Sequence, residues 1–125
     1  MSLQINTEQI GDIAVVQCAG RMVCAQELCV LKEAVTRLSR PRVIALDLSE
    51  VGMLDGRGLG MLVFLHNWSC SNGIQLKLVN PSKLVREVLE LTGLTSVLHI
   101  SSVHDVIEMF CNSDRSIDNV DRAAA

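Results

Sequence analysis

The chain has 125 residues, 49% of them hydrophobic, with 11 Lys and Arg against 14 Asp and Glu and a formal charge of -3. That length supports one core, the apolar content excludes disorder throughout, and neither a basic cluster nor an aromatic set is present to hold nucleic acid. No apolar run approaches the roughly 20 residues of a bilayer span, and the amino terminus has no charged-then-apolar leader, so a soluble cytoplasmic protein is expected.

The first elements are two β-rich runs in "LQINTEQIGDIAVVQCAG", separated by Gly11-Asp12, a hairpin pattern. From Ala25 to Ser39 the period changes, and Leu28, Leu31, Val35 and Leu38 form one helical stripe that Arg40-Pro41 ends. "RVIALDL", Arg42 to Leu48, is short, continuous and partly β-branched, as expected of a strand buried on both faces. A second helix is expected from Arg57 to Ser71, stopped by Asn72-Gly73. "IQLKLV" alternates as a strand. Asn80 with Pro81 and Gly93 then marks the start and stop of a third helix. "SVLHI" reads as a last strand, and Ser101 or Ser102 can cap a closing helix through Cys111. Residues 1–112 therefore read as one α/β domain, a mostly parallel mixed sheet of about five strands with about four helices. The polar tail 113–125 is expected to be disordered.

The second helix is apolar on two sides. A count at about 100° per residue puts Leu59, Leu62, Val63, His66 and Cys70 on one side and Met61, Phe64, Leu65 and Trp68 on the other. One stripe must meet the sheet. The other, with Phe64, Leu65 and Trp68, is expected to form a second surface for a partner or for self-association as a homodimer.

The five cysteines, Cys18, Cys24, Cys29, Cys70 and Cys111, have no C-x-x-C spacing. They read mostly as small buried hydrophobes, with Cys24 and Cys29 more exposed. His66 reads as a buried imidazole of the core face. His104 and Cys111 share one helix face but have no third ligand beside them, so no metal is expected. No cofactor is implied, and no triad or paired carboxylate can be argued from spacing, so no catalytic residue is assigned.

The central stretch "VIALDLSEVGMLDGRGLGMLVFL" joins an apolar strand ending in Asp47-Leu48-Ser49 to a loop and helix start carrying Asp55, Gly58, Leu59 and Gly60. This succession resembles the centre of the STAS family, the fold of bacterial anti-sigma factor antagonists, over roughly residues 3–111. The resemblance implies the STAS fold and a protein-interaction module that binds an anti-sigma factor of the serine-kinase type, so that a sigma factor is released. It implies partner contacts at Ser49, Asp55, Gly56, Arg57, Gly58 and Met61. In switching members the second hydroxyl of D-S-S-G is phosphorylated by the partner. Here Gly56 and Arg57 occupy the two hydroxyl positions, so Arg57, the equivalent of the phosphorylation site, cannot accept phosphate. A scaffold or accessory subunit of a stress-signalling assembly or a lipid-transport ATPase is the alternative. A small-ligand or nucleotide-binding protein is a second, disfavoured because G-x-G-x-x-G fails at Met61 and no G-K-[ST] follows.

Overall fold

The computed structural model describes residues 3–101. The chain opens with an antiparallel hairpin of β1 (Gln4–Ile10) and β2 (Ile13–Met22), closed where Ile10 pairs with Ile13. Gly11 stands at φ +61, left-handed backbone that glycine adopts without penalty, so the expected two-residue turn forms. There follow α1 (Ala25–Thr36), β3 (Val43–Leu54), α2 (Gly56–Ser71), β4 (Gln75–Val79), α3 (Lys83–Thr92), one 3-10 turn at Leu94–Ser96 and β5 (His99–Ser101).

The five strands lie in the order β1-β2-β3-β4-β5, parallel from β2 onward. Each parallel step carries one crossover helix, and because such crossovers are right-handed and the order never reverses, the helices gather on one face. A single core cluster joins Ala14, Val16, Leu46, Leu48 and Leu78 of that face to Leu31 and Val35 of α1, Leu62 and Leu65 of α2, and Val85 and Leu89 of α3. Each such Val or Leu side chain, fully buried, contributes roughly 1.5–3 kcal/mol.

Three boundaries differ from those the sequence suggests. The central strand does not stop at Leu48 but runs to Leu54, because Glu50, Val51, Met53 and Leu54 pair with Ala19, Gly20, Arg21 and Met22. Two register shifts interrupt this extension, and Gly20 at φ +117 sits at one of them. The third helix is capped by Ser82 and not by Asn80: Ser82 Oγ accepts from the Val85 N–H at 3.3 Å and donates to the Val51 carbonyl at 2.7 Å. Asn80 instead takes a left-handed turn at φ +47. After the left-handed cap at Gly93, the Leu94–Ser96 turn delays the last strand to His99. The closing helix, His104, Cys111 and the tail 113–125 fall outside the described residues.

α2 meets the sheet along Gly58, Leu62, Leu65 and Ser69. This line draws on both of the expected stripes. Leu65, expected on the second surface, is 0% exposed and is core. Phe64 is exposed beneath Lys32, whose Nζ lies 4.7 Å from the ring centroid, and Trp68 is half-buried against the core. His66, expected in the core, is half-buried. Of the four described cysteines only Cys18 is buried; Cys24 is half-buried, and Cys29 and Cys70 are exposed.

Candidate functional site

The turn leading into α2 is fixed from both sides. Asp55 holds extended backbone at the N-cap, and its Oδ1 accepts from the Arg57 N–H at 2.9 Å and the Gly58 N–H at 3.3 Å. Two of the helix's unpaired donors are thereby satisfied, and the carboxylate complements the positive end of the helix dipole. On the inner side Gly58 is buried. A Cβ there would overlap the Met22 carbonyl and Leu54 Cδ1, so this close approach requires glycine.

The outer side is open. Gly56 and Arg57 are exposed, and neither Gly56 nor Gly60 has an atom within 4 Å of where a Cβ would stand. Among the described residues the ion pairs are Arg37–Glu33 and Arg42–Asp12, so Arg57 extends from a rigid turn without an acidic partner there. Beside it the end of β3 presents Met53, 44% exposed, whose Sδ accepts from Arg21 Nη2 at 3.0 Å.

The six residues implied as partner contacts therefore separate. Gly56 and Arg57 lie on the open side of the turn, Asp55 and Met61 are half-buried, and Gly58 faces inward as a packing residue. Ser49 is exposed but belongs to the middle of β3, roughly 20 Å along the strand from Asp55 at about 3.3 Å per residue. Its N–H donates to Asp47 Oδ1 at 2.9 Å. With Asp47, Glu50, Gln17 and Asn6 it lines a different feature, an open concavity of about 630 Å3 on the sheet. Arg21 and Met53 were not legible as part of the turn, because only the long-range pairing of β2 with the extended β3 brings them there.

Beneath that concavity Cys18 is 2% exposed, and burial, with the Asp47 carboxylate as a smaller cause, pushes its thiol from an ordinary 9.0 up to about 12. It is an inert core residue at neutral pH.

The sequence profile of the STAS domain family matches residues 4–107. The chain belongs to the STAS domain family. Its fold is that of SpoIIAA, an anti-sigma factor antagonist in its unphosphorylated form, with a TM-score of 0.72, 15% identity, and coverage of 87% of this chain and 97% of that one. An anti-sigma factor antagonist from Mycobacterium paratuberculosis matches this STAS domain with a TM-score of 0.73, 21% identity, and coverage of 86% and 93%. The murine anion transporter Slc26a9 matches at 0.63 with 21% identity, over 85% of this chain but 18% of the transporter. No curated protein matches the sequence. No helix among the described residues is long and apolar enough to cross a membrane.

Proposed function

We propose that this STAS domain is an anti-sigma factor antagonist whose docking turn is permanently competent: it binds an anti-sigma factor of the serine-kinase type and so regulates sigma-factor availability. The observation that carries this reading is Arg57, held outward on a capped turn at the position where the resembling motif places a phosphorylatable hydroxyl. Phosphorylation would add roughly -1.5 to -2 charges there and eject a fitted partner. Arginine keeps a fixed positive charge under all physiological conditions, so the turn has one state. Regulation then passes to the abundance of the protein. The work is binding, and no catalytic residue or cofactor is assigned to the site.

Affinity capture from the native cytoplasm with wild type, Arg57→Ser and Arg57→Glu tests the reading. Wild type should retain an anti-sigma factor that Arg57→Glu loses, and addition of ATP should put no phosphate into residues 55–60. Stoichiometric phosphate in that segment overturns the proposal, and equal recovery by the glutamate variant removes Arg57 from the interface.

A second reading, an accessory domain of a larger assembly, draws support from the occurrence of the same fold within the Slc26a9 transporter. It predicts co-purification in a stable complex that survives Arg57→Glu.

A further inference from the structure

The outward side of α3 carries two leucines that the fold leaves uncovered. Leu91 is 87% exposed and Leu84 is 39% exposed, while Val88 between them is half-buried. At about 100° per residue the three fall within an arc of about 60°, turned about 110° round the helix from Val85 and Leu89, the residues that α3 buries in the core. Leucines scattered singly on a surface are ordinary. Three apolar residues at i, i+4 and i+7 are the seam that one helix presents to another.

The charges of α3 run against the helix itself. Lys83 and Arg86 stand in its first half and Glu87 and Glu90 in its second, with no acid in the first turn and no base in the last. A helix is stabilised by the reverse order, because its first turn is the positive end of the dipole and its last turn the negative end. Pairing along the helix, Lys83 with Glu87 and Arg86 with Glu90, would have the weaker orientation. It does not form: the ion pairs among the described residues are Arg37–Glu33 and Arg42–Asp12. All four charges lie on the flank of the leucine seam that faces away from the core.

A second copy laid antiparallel makes this order complementary. A two-fold axis across the seam keeps both charged flanks on one side and reverses one helix, so the basic half of each meets the acidic half of the other. The register agrees with itself, because Leu84 with Leu91, Lys83 with Glu90, and Arg86 with Glu87 share nearly one midpoint, beside Glu87. A parallel copy would set like charges together, and a partner of one sign would match only half of the flank. We propose that α3 is a self-association surface on which two copies of this chain pair antiparallel through Leu84, Val88 and Leu91. The proposal does not depend on the docking turn. One pair of ten-residue helices covers less than the roughly 1,200 Å2 of a stable complex, so the dimer is weak and forms at high concentration.

Sedimentation equilibrium of the reduced full-length chain, from about 10 μM to about 1 mM, should show the average mass rising from monomer toward dimer. Leu91→Glu puts an unpaired charge in the seam and should weaken association by at least about tenfold. Lys83→Glu with Arg86→Glu makes both halves acidic and should weaken it to a similar degree, about tenfold. Adding Glu87→Lys and Glu90→Lys to that same chain restores opposite halves and should restore the dimer, a rescue that damage to the fold would not give. Circular dichroism confirms that the variants fold, and Arg57→Glu should leave the association constant unchanged. A wild type that stays monomeric at about 1 mM overturns the proposal, as does association unaffected by Leu91→Glu or not restored by the fourfold charge exchange. A monomer whose Tm falls by more than about 5 °C on Leu91→Glu would put another segment of the same chain on the seam, and a monomer that binds a different protein through Leu91 would put a foreign partner there; either result also overturns it.

Discussion

Gly58 packs face to face with the backbone carbonyl of Met22, with the Leu54 side chain closing the same gap, and no Cβ fits between them. The contact joins the start of α2 to the ends of β2 and β3, so it sets where the Arg57 turn stands on the sheet. Gly58→Ala forces the helix start or the strand end to move. It should cost on the order of 1–3 kcal/mol, as overpacking does. Gly60, two residues on, has open space at its Cβ position. Gly60→Ala should gain roughly 0.5–1 kcal/mol from helix propensity alone. Urea midpoints at unchanged m check both values; equal midpoints for the two variants would mean that the approach to Met22 is looser than described.

The cap and the cation of the turn pull in opposite directions. Asp55→Ala loses the bonds to the Arg57 and Gly58 N–H groups and should cost about 1 kcal/mol, within a range of about 0.5–2. Arg57 places positive charge at the positive end of the helix, an arrangement worth roughly 0.3–1 kcal/mol and weakened by salt. Arg57→Glu should therefore stabilise the fold slightly at low ionic strength while abolishing partner capture. Thermal melts at two salt concentrations alongside the capture experiment separate the effects. A glutamate variant that is both less stable and partner-free would show that Arg57 acts through folding.

What the sequence made legible depended on how local the deciding interactions are. The Gly11-Asp12 hairpin and the Gly93 helix stop are set within a few residues, and both stand where turn and cap chemistry put them. The extension of β3 through "SEVGML" was invisible, because those residues lack a strand pattern and become a strand only by pairing with β2. The core face of α2 was misjudged for a related reason. Both sides are apolar, so hydrophobicity could not choose between them, whereas the buried line Gly58-Leu62-Leu65-Ser69 begins and ends in small residues that let the helix approach the sheet. That alternation of small and large side chains was the available signal. Of the implied contacts, Gly56 and Arg57 could be placed from the motif, while the inward aim of Gly58 depends on Met22, thirty-six positions upstream.

Ser69 is buried at the end of that line, 0% exposed, and its Oγ has no hydrogen-bond partner among the described residues. An unsatisfied buried hydroxyl is a cost that alanine of nearly the same shape removes. Ser69→Ala should thus be neutral or stabilising by up to about 1 kcal/mol, read as a rise in the urea midpoint. A loss of more than about 1 kcal/mol would reveal a bond from this hydroxyl worth at least the usual net value.

Cys18 gives the fold a dependence on alkaline pH whose sign follows from its environment. Burial, and secondarily the Asp47 carboxylate, raise the folded thiol from 9.0 to about 12, so the folded state keeps a proton that the unfolded chain releases. The stability associated with the neutral thiol is fully present below pH 9.0 and is lost as pH climbs toward 12. One group contributes a slope of at most about 1.4 kcal/mol per pH unit. The chain has no tyrosine, and a difference between two variants that differ only at Cys18 cancels every contribution they share. Wild type should lose stability faster than Cys18→Ala between pH 9 and 11 in parallel urea titrations, and at pH 8 a thiol reagent should label Cys29 and Cys70 but spare Cys18 until the chain unfolds. Identical slopes for the two proteins would place the Cys18 thiol in contact with solvent.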